Sequence, residues 1–267
     1  MNNQGTPSRK RSDRMVALLS MLSEHGHLPL SQLAVDLGAS EATIRRDVAS
    51  LAAQGLLDRT HGGARPTTGL KELPVKLRDG RNHAVKERIA AAAAQLIPQG
   101  KYAIGLTGGT TAAEVLRALR HRDDLTIVTN SITIGMAAAE QGQARVLIAG
   151  GVLRPNSLEL VGSLAEATLR LVNVGTAFIG ADGISTGGGL TTHDEIEART
   201  NHTLIERSQR VVVVADASKI GVITLARMAS LDEIDVLVTD SSAPDDELNR
   251  IRAAGVEVVV VPAPADR

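Results

Sequence analysis

The chain has 267 residues, a formal net charge of −1 and no cysteine. That leaves room for one small and one ordinary domain, and it excludes disulfides, thiolate nucleophiles and cysteine-bound zinc. One tyrosine, one phenylalanine and no tryptophan leave a core of Ala, Val, Leu and Ile and disfavour aromatic stacking on single-stranded bases.

Residues 1–10 are polar and basic and read as a disordered leader, with no signal-peptide pattern. No run of about 18 apolar residues is present to span a membrane, so a cytoplasmic protein without a membrane partner is expected. Residues 12–25 read as a helix with Met15, Leu18, Leu19 and Leu22 on one face and Gly26 as the stop. A second short helix, 31–37, is closed by Gly38. Ser40 then caps a third, in which Ile44, Val48 and Leu51 recur at i, i+4 and i+7 as the buried face. Ala42, Arg46, Ala49 and Ala53 fall opposite that face, with Thr43 and Arg45 on its two sides. Small residues around an arginine allow close approach to a groove, where guanidinium reaches guanine edges or phosphates.

Gly55 ends this helix, 56–59 reads as a short strand, and Gly62-Gly63 as a turn before Ala64-Arg65. The whole is a winged helix-turn-helix over 11–66 that presents its second motif helix to the major groove. The residues expected on double-stranded operator DNA are Ser31, Ser40, Ala42, Thr43, Arg45, Arg46, His61, Gly62 and Arg65. An arginine pair alone would read as a solvated helix face; its place within the motif, followed by a glycine wing, favours DNA. Charge agrees, with net +2 over 1–66, +3 over 67–88 and −6 over 89–267. One winged helix with few basic residues covers limited surface. Specific binding is therefore expected to need a homo-oligomer, dimer or tetramer, on paired half-sites.

Pro66-Thr67-Thr68-Gly69 breaks the pattern, and 67–84 reads as a basic linker with one extended piece at 73–75. A helix is predicted over 85–97, stopped by Pro98-Gln99-Gly100. Beyond it, strands at 103–106, 125–128, 145–149, 177–180, 210–215, 235–238 and 256–261 alternate with helices at 111–119, 132–141, 164–172, 195–208 and 245–254. Such alternation builds a mostly parallel α/β sheet, and 85–267 is the expected effector domain. Residues 150–162 interrupt the pattern as a hairpin or lid.

In such sheets ligands bind past the strand ends, at the point where strand order reverses. There the chain places Thr107, Gly108, Gly109, Thr110 and Thr111, then Asn130 and Ser131, Gly150 and Gly151, Asp182, and Asp216 with Lys219. Glycines that admit a ligand, N–H groups at a helix start and threonine hydroxyls together suit a phosphate. GKS/T and GxGxxG are both missing, which disfavours a nucleotide. Lys219 supplies a cation, while Asn130 and Asp182 suit hydroxyls, so a small phosphorylated polyol or sugar is the expected effector. Asp182 and Asp216 read equally as turn caps, and Lys219 as a surface lysine. His193, Asp194 and Glu195 read as a helix N-terminus, and 187–189 as a flexible loop. His25, His27, His83, His121 and His202 are scattered, read as surface residues and lack metal-ligand spacing. No metal, cofactor or catalytic residue is expected.

TIRRD at 43–47 and HGGA at 61–64 resemble the DNA-binding signature of DeoR-type bacterial transcriptional regulators. The later order TGGTT, VTN, GG, GADG, GLTT and DASK resembles that family's effector domain, and the match runs over residues 11–240. The resemblance implies an effector domain similar in fold to ribose-5-phosphate isomerase that binds phosphorylated sugars, and a repressor of sugar or polyol catabolism. One departure stands out: many members carry an Asp-Ser-Gly-Thr-Thr loop, whereas Thr107 and Gly108 take its first two places here. The alternative is a sugar-phosphate isomerase or related hydrolase with a DNA-binding module. It would draw its base from Asp182, Asp194 or Asp216, none of which forms an evident acid–base pair.

Overall fold

The structure is a computed structural model and describes residues 7–67, 72–78, 82–142 and 145–263. The chain divides into two compact units, Met1–Arg81 and Asn82–Arg267.

In the first unit, α1 (Pro7–His25) begins inside the segment expected to be a disordered leader; residues 1–6 of that segment lie outside the described residues. Proline suits a first helical turn because the N–H it lacks would have no partner there. The helix ends at Gly26, whose N–H donates to Leu22 O at 2.9 Å. Next come β1 (Leu28–Pro29), α2 (Leu30–Asp36) and α3 (Glu41–Ala53), then β2 (Leu57–Thr60) and β3 (Gly63–Pro66). Ser40 caps α3 by accepting the Thr43 N–H at 3.3 Å. β3 lies between β1 and β2, antiparallel to both, so the wing adds β1 and β3 to the one strand read from the sequence, and Gly63, expected in the turn, begins β3. Ile44, Val48 and Leu51 pack with Leu18, Leu22, Leu33 and Leu57 in one core. Each such side chain contributes about 1.5–3 kcal/mol by leaving water.

A short helix, α4 (Val75–Arg78), replaces the extended piece expected at 73–75. The Leu77 N–H donates to Pro74 O at 2.8 Å, and Leu77 is buried in the same core. This part of the predicted linker is therefore packed. Residues 68–71 and 79–81 lie outside the described residues.

The second unit runs α5 (His83–Ala94), β4 (Tyr102–Leu106), α6 (Thr110–Ala118), β5 (Leu125–Thr129), α7 (Ile132–Glu140) and β6 (Arg145–Ile148). It continues with β7 (Val152–Arg154), β8 (Glu159–Val161), α8 (Ser163–Arg170), β9 (Val174–Ile179), β10 (Gly183–Ser185), β11 (Gly189–Thr192) and α9 (Glu195–Glu206). Last come β12 (Ser208–Val214), β13 (Ala226–Ala229), β14 (Val236–Asp240), α10 (Asp245–Ala253) and β15 (Glu257–Val261). Seven strands form one sheet in the order β15-β14-β12-β9-β4-β5-β6, every pair parallel. Both faces are covered: Val211 and Val213 join one apolar cluster, Val212 and Val214 the other, as the period of two requires. From β4 the chain winds outward through β5 to β6, then returns to β9 on the other side of β4 and winds away. The crevice beyond the tips of β4 and β9 is the reversal point where such folds hold ligands.

The hairpin expected at 150–162 is present, while a second sheet and the loop 187–189 differ from the expected pattern. The segment 150–162 forms an antiparallel hairpin, β7–β8, tied to the tip of β5 by Leu160 N–H to Asn130 O at 2.7 Å and Ile132 N–H to Leu158 O at 3.1 Å. A separate sheet, β10-β11-β13, takes in GLTT as a strand. Its tight connection is the predicted flexible loop 187–189: Gly189 has φ +67°, pairs with Ser185, and has no room for a Cβ against Ala229 O.

Candidate functional site

On α3, Glu41, Ala42, Arg45 and Arg46 are exposed and Thr43 is half-buried. Arg45 Nη2 meets Glu41 Oε1 at 3.0 Å, a surface i,i+4 pair worth about 0.3–0.5 kcal/mol. Arg46 bonds nothing among the described residues, so its guanidinium is unspent. Ser40 Oγ and Thr43 Oγ1 share a bond of 2.8 Å at the start of the helix. Ser31 is exposed on the first turn of α2. His61 and Gly62 form the exposed tip of the wing, and Arg65 pairs with Asp58 at 3.3 Å.

Two contributors escaped the sequence reading. Asp47, fully buried on the inner side of α3, accepts Arg14 Nε at 2.7 Å and Arg11 Nε at 3.3 Å and so fixes α3 against α1. Arg59 is an exposed wing cation without a partner among the described residues. The alternation with buried Leu57 along β2 was its signal.

At the reversal point, Thr107 is buried and its Oγ1 accepts the Gly180 N–H at 3.0 Å, stitching the tip of β4 to that of β9. The Gly108 N–H donates to Glu159 Oε1, a carboxylate the sequence reading did not place there. Gly109, with φ +105°, caps α6. The N–H groups of Gly109, Thr110 and Thr111 find no acceptor among the described residues, so α6 keeps an open, positive N-terminus.

Asn130 is buried and donates to Asn201 Oδ1 at 2.9 Å. Ser131 Oγ accepts the Ile134 N–H at 3.4 Å and thus caps α7, a structural use of a residue expected on ligand. Gly150 is exposed and Gly151, at the entry to the hairpin, has φ +150°. Asp182 accepts from Thr192 Oγ1 at 3.1 Å, and its other oxygen lies 3.9 Å from Lys219 Nζ. Asp216 accepts the Ser218 N–H at 3.0 Å, which makes it a turn cap that sets Lys219.

These side chains belong to one network. The single Thr192 hydroxyl proton lies between Asp182 and Glu197 Oε1, the latter 2.7 Å away; Arg154 Nη1 meets Glu197 Oε2 at 3.0 Å, and Asn201 donates to Glu159 Oε2 at 3.3 Å. Burial, followed by the neighbouring Glu197 carboxylate, pushes the Glu159 carboxyl well above the usual range, against the Gly108 N–H and Asn201 amide that favour its charge. Asp194 caps α9 through Ile196 N–H at 3.0 Å and Glu197 N–H at 2.9 Å and pairs with Arg154 at 3.1 Å. Burial opposes its charge, yet the Glu197 N–H and Arg154 hold its carboxyl below the usual range. Glu159, Glu197, Asn201 and Arg154 were all missed. Glu197 and Asn201, four apart on α9 and both buried, were detectable as polar residues on an inward face.

The histidines differ in part from expectation. His25 and His121 are exposed, His27 bonds Thr60 Oγ1 at 2.8 Å and His202 bonds Glu233 at 2.8 Å. His83 is half-buried between Glu87 and Glu114, 3.1 Å from each. Arg117 pairs with Glu114 within α6, and His83 brings α5 against that pair.

Residues 14–68 match the DeoR-like helix-turn-helix domain and residues 81–241 the DeoR C terminal sensor domain. A putative aga operon transcriptional repressor of Escherichia coli O157:H7 is 34% identical, covering 98% of this chain and 99% of its own. The HTH-type transcriptional regulator GlpR of Haloferax volcanii is 34% identical over 93% of this chain and 97% of its own. The glycerol-3-phosphate regulon repressor of Escherichia coli K12 is 32% identical over 88% and 93%. Among solved structures, ribose 5-phosphate isomerase A from Methanocaldococcus jannaschii aligns at a TM-score of 0.40 and 21% identity over 54% of this chain and 55% of its own. A DNA-reading winged helix at one end and a DeoR sensor domain at the other make this chain a member of the DeoR family of transcriptional regulators.

Proposed function

We propose that the protein represses genes of sugar or polyol catabolism, in the cytoplasm, as a homo-oligomer on paired operator half-sites. Its effector is a phosphorylated sugar or polyol bound past the tips of β4 and β9. The observation that carries this reading is the open α6 N-terminus at Gly109, Thr110 and Thr111, which lies at the reversal point of the sheet. Lys219, held by the Asp216 turn beside Asp182, supplies the cation. Relatives named as repressors of the aga operon and of a glycerol-3-phosphate regulon support a phosphorylated carbohydrate signal. In this reading the winged helix spans 11–66 and the effector domain 85–267.

Gel-shift titration of operator DNA with a panel of sugar and polyol phosphates tests it. Phosphorylated ligands should change operator affinity by about 5–150-fold, and operator should change ligand affinity by the same factor. Lys219→Ala should weaken ligand about 10–150-fold, since charge-assisted contacts are worth about 1.5–3 kcal/mol. If an unphosphorylated sugar acts as well as its phosphate, the anion site is misread.

A further inference from the structure

The crevice beyond the tips of β4 and β9 holds a row of buried polar side chains that bond one another. Asn130 Nδ2 donates to Asn201 Oδ1 at 2.9 Å, and Asn201 Nδ2 donates to Glu159 Oε2 at 3.3 Å. At the end of the row Asn130 Oδ1, on a residue only 1% exposed, accepts from nothing among the described residues. Buried acceptors in folded proteins almost always have a donor, so an orphan at a ligand crevice marks where one is to be supplied. Glu159, 2% exposed, adds further acceptor capacity beside it.

Glu159 also reaches into the loop itself. Its Oε1 accepts the Gly108 N–H, and a Cβ at position 108 would lie 2.5 Å from that oxygen. The glycine of the loop and the glutamate of the hairpin therefore require each other. A loop without a carboxylate of its own receives one from β8, 51 residues further along the chain. With that carboxyl on Gly108, this N–H is already taken. The N–H groups of Gly109, Thr110 and Thr111 remain open.

We propose that Glu159 and Asn130 form the hydroxyl-reading wall of the effector site. They accept hydrogen bonds from the carbinol groups of a phosphorylated polyol or sugar whose phosphate sits on the first turn of α6. This assignment rests on the phosphorylated effector proposed above and adds the polarity of the bound ligand: hydroxyls toward β8 and β5, phosphate toward α6. It also makes Glu159 a specificity-determining residue supplied by a hairpin rather than by the loop.

Calorimetric titration of the full chain tests this with inorganic phosphate, with polyol phosphates of three to six carbons beginning at glycerol 3-phosphate, and with the parent polyols. Glu159→Gln keeps the volume and an acceptor for Gly108 but replaces a hydroxyl acceptor by a donor. Polyol phosphate affinity should fall about 10–100-fold, while inorganic phosphate affinity changes less than about threefold. Asn130→Ser removes the orphan acceptor without touching the Gly108 contact and should act alike, which keeps the test decisive if glutamine at 159 unfolds the domain. The melting transition of the second unit in scanning calorimetry reports folding of both variants. Equal polyol phosphate affinity in wild type and variants overturns the Glu159 assignment and leaves the phosphate site standing. Binding of a parent polyol alone, weakened by Glu159→Gln, keeps the wall and overturns the phosphate. Binding of none of the probes overturns both.

Discussion

Asp47→Ala should destabilise the DNA-binding unit without touching DNA. The carboxylate is 2% exposed and receives Arg14 Nε at 2.7 Å and Arg11 Nε at 3.3 Å. Loss of one partner of a fully buried pair costs about 3–5 kcal/mol, because a charge is stranded out of water. Here the arginine side chains are 22% and 53% exposed, so water recovers much of their charge and the expected cost falls to about 1–3 kcal/mol. For a domain of this size each kcal/mol lowers Tm by about 4–8 °C. Scanning calorimetry of the full chain should show the first unit melting earlier and the second unchanged, since among the described residues the ion pairs of Asp47 run to α1. Asp47→Asn keeps an acceptor and should cost less. Arg14→Ala combined with Asp47→Ala should be less destabilising than the sum of the two, with a coupling of about 1 kcal/mol. Strict additivity, or a wild-type melting curve for Asp47→Ala, would refute the clamp.

Arg46→Ala should weaken operator binding by about 1–3 kcal/mol and relax sequence preference at one position, while Arg45→Ala, whose side chain is already paired with Glu41, should cost less; gel-shift titration against single-base operator variants checks both, and equal losses would contradict the assignment. Asp194 has a folded-state pKa below its unfolded value of about 3.9, so its stabilising contribution is complete at neutral pH and is lost as pH falls through the folded value. Asp194→Ala should therefore destabilise the sensor domain at pH 7 and converge on wild type in strong acid, as followed by urea unfolding. Glu159 has the opposite sign: its folded pKa lies above the unfolded value of about 4.3, so the protonated form favours folding and stability is lost as pH rises toward the folded value. Glu159→Gln should flatten that loss; an unchanged pH profile would show that the carboxyl does not titrate within the folded chain.

The elements with strong local signals were legible before any coordinates. Ser40, the Ile44–Val48–Leu51 period, the glycine wing and the β-branched runs that became the seven-stranded sheet all depend on neighbours within a few residues. So did the loop 107–111, because a strand followed by glycines and a helix start is a local pattern. Its occupancy was decided only by the tertiary structure. Strand order brings β9 beside β4, the β7–β8 hairpin folds back onto the tip of β5, and α9 turns Glu197 and Asn201 inward, so that Glu159 meets Gly108 across 51 residues. The same holds for Asp47, a polar residue within an otherwise apolar helix face, whose partners lie 33 and 36 residues earlier. Periodicity and capping report which side of an element faces inward. They carry no information about which distant polar group waits there, and buried carboxyls are satisfied by such distant partners.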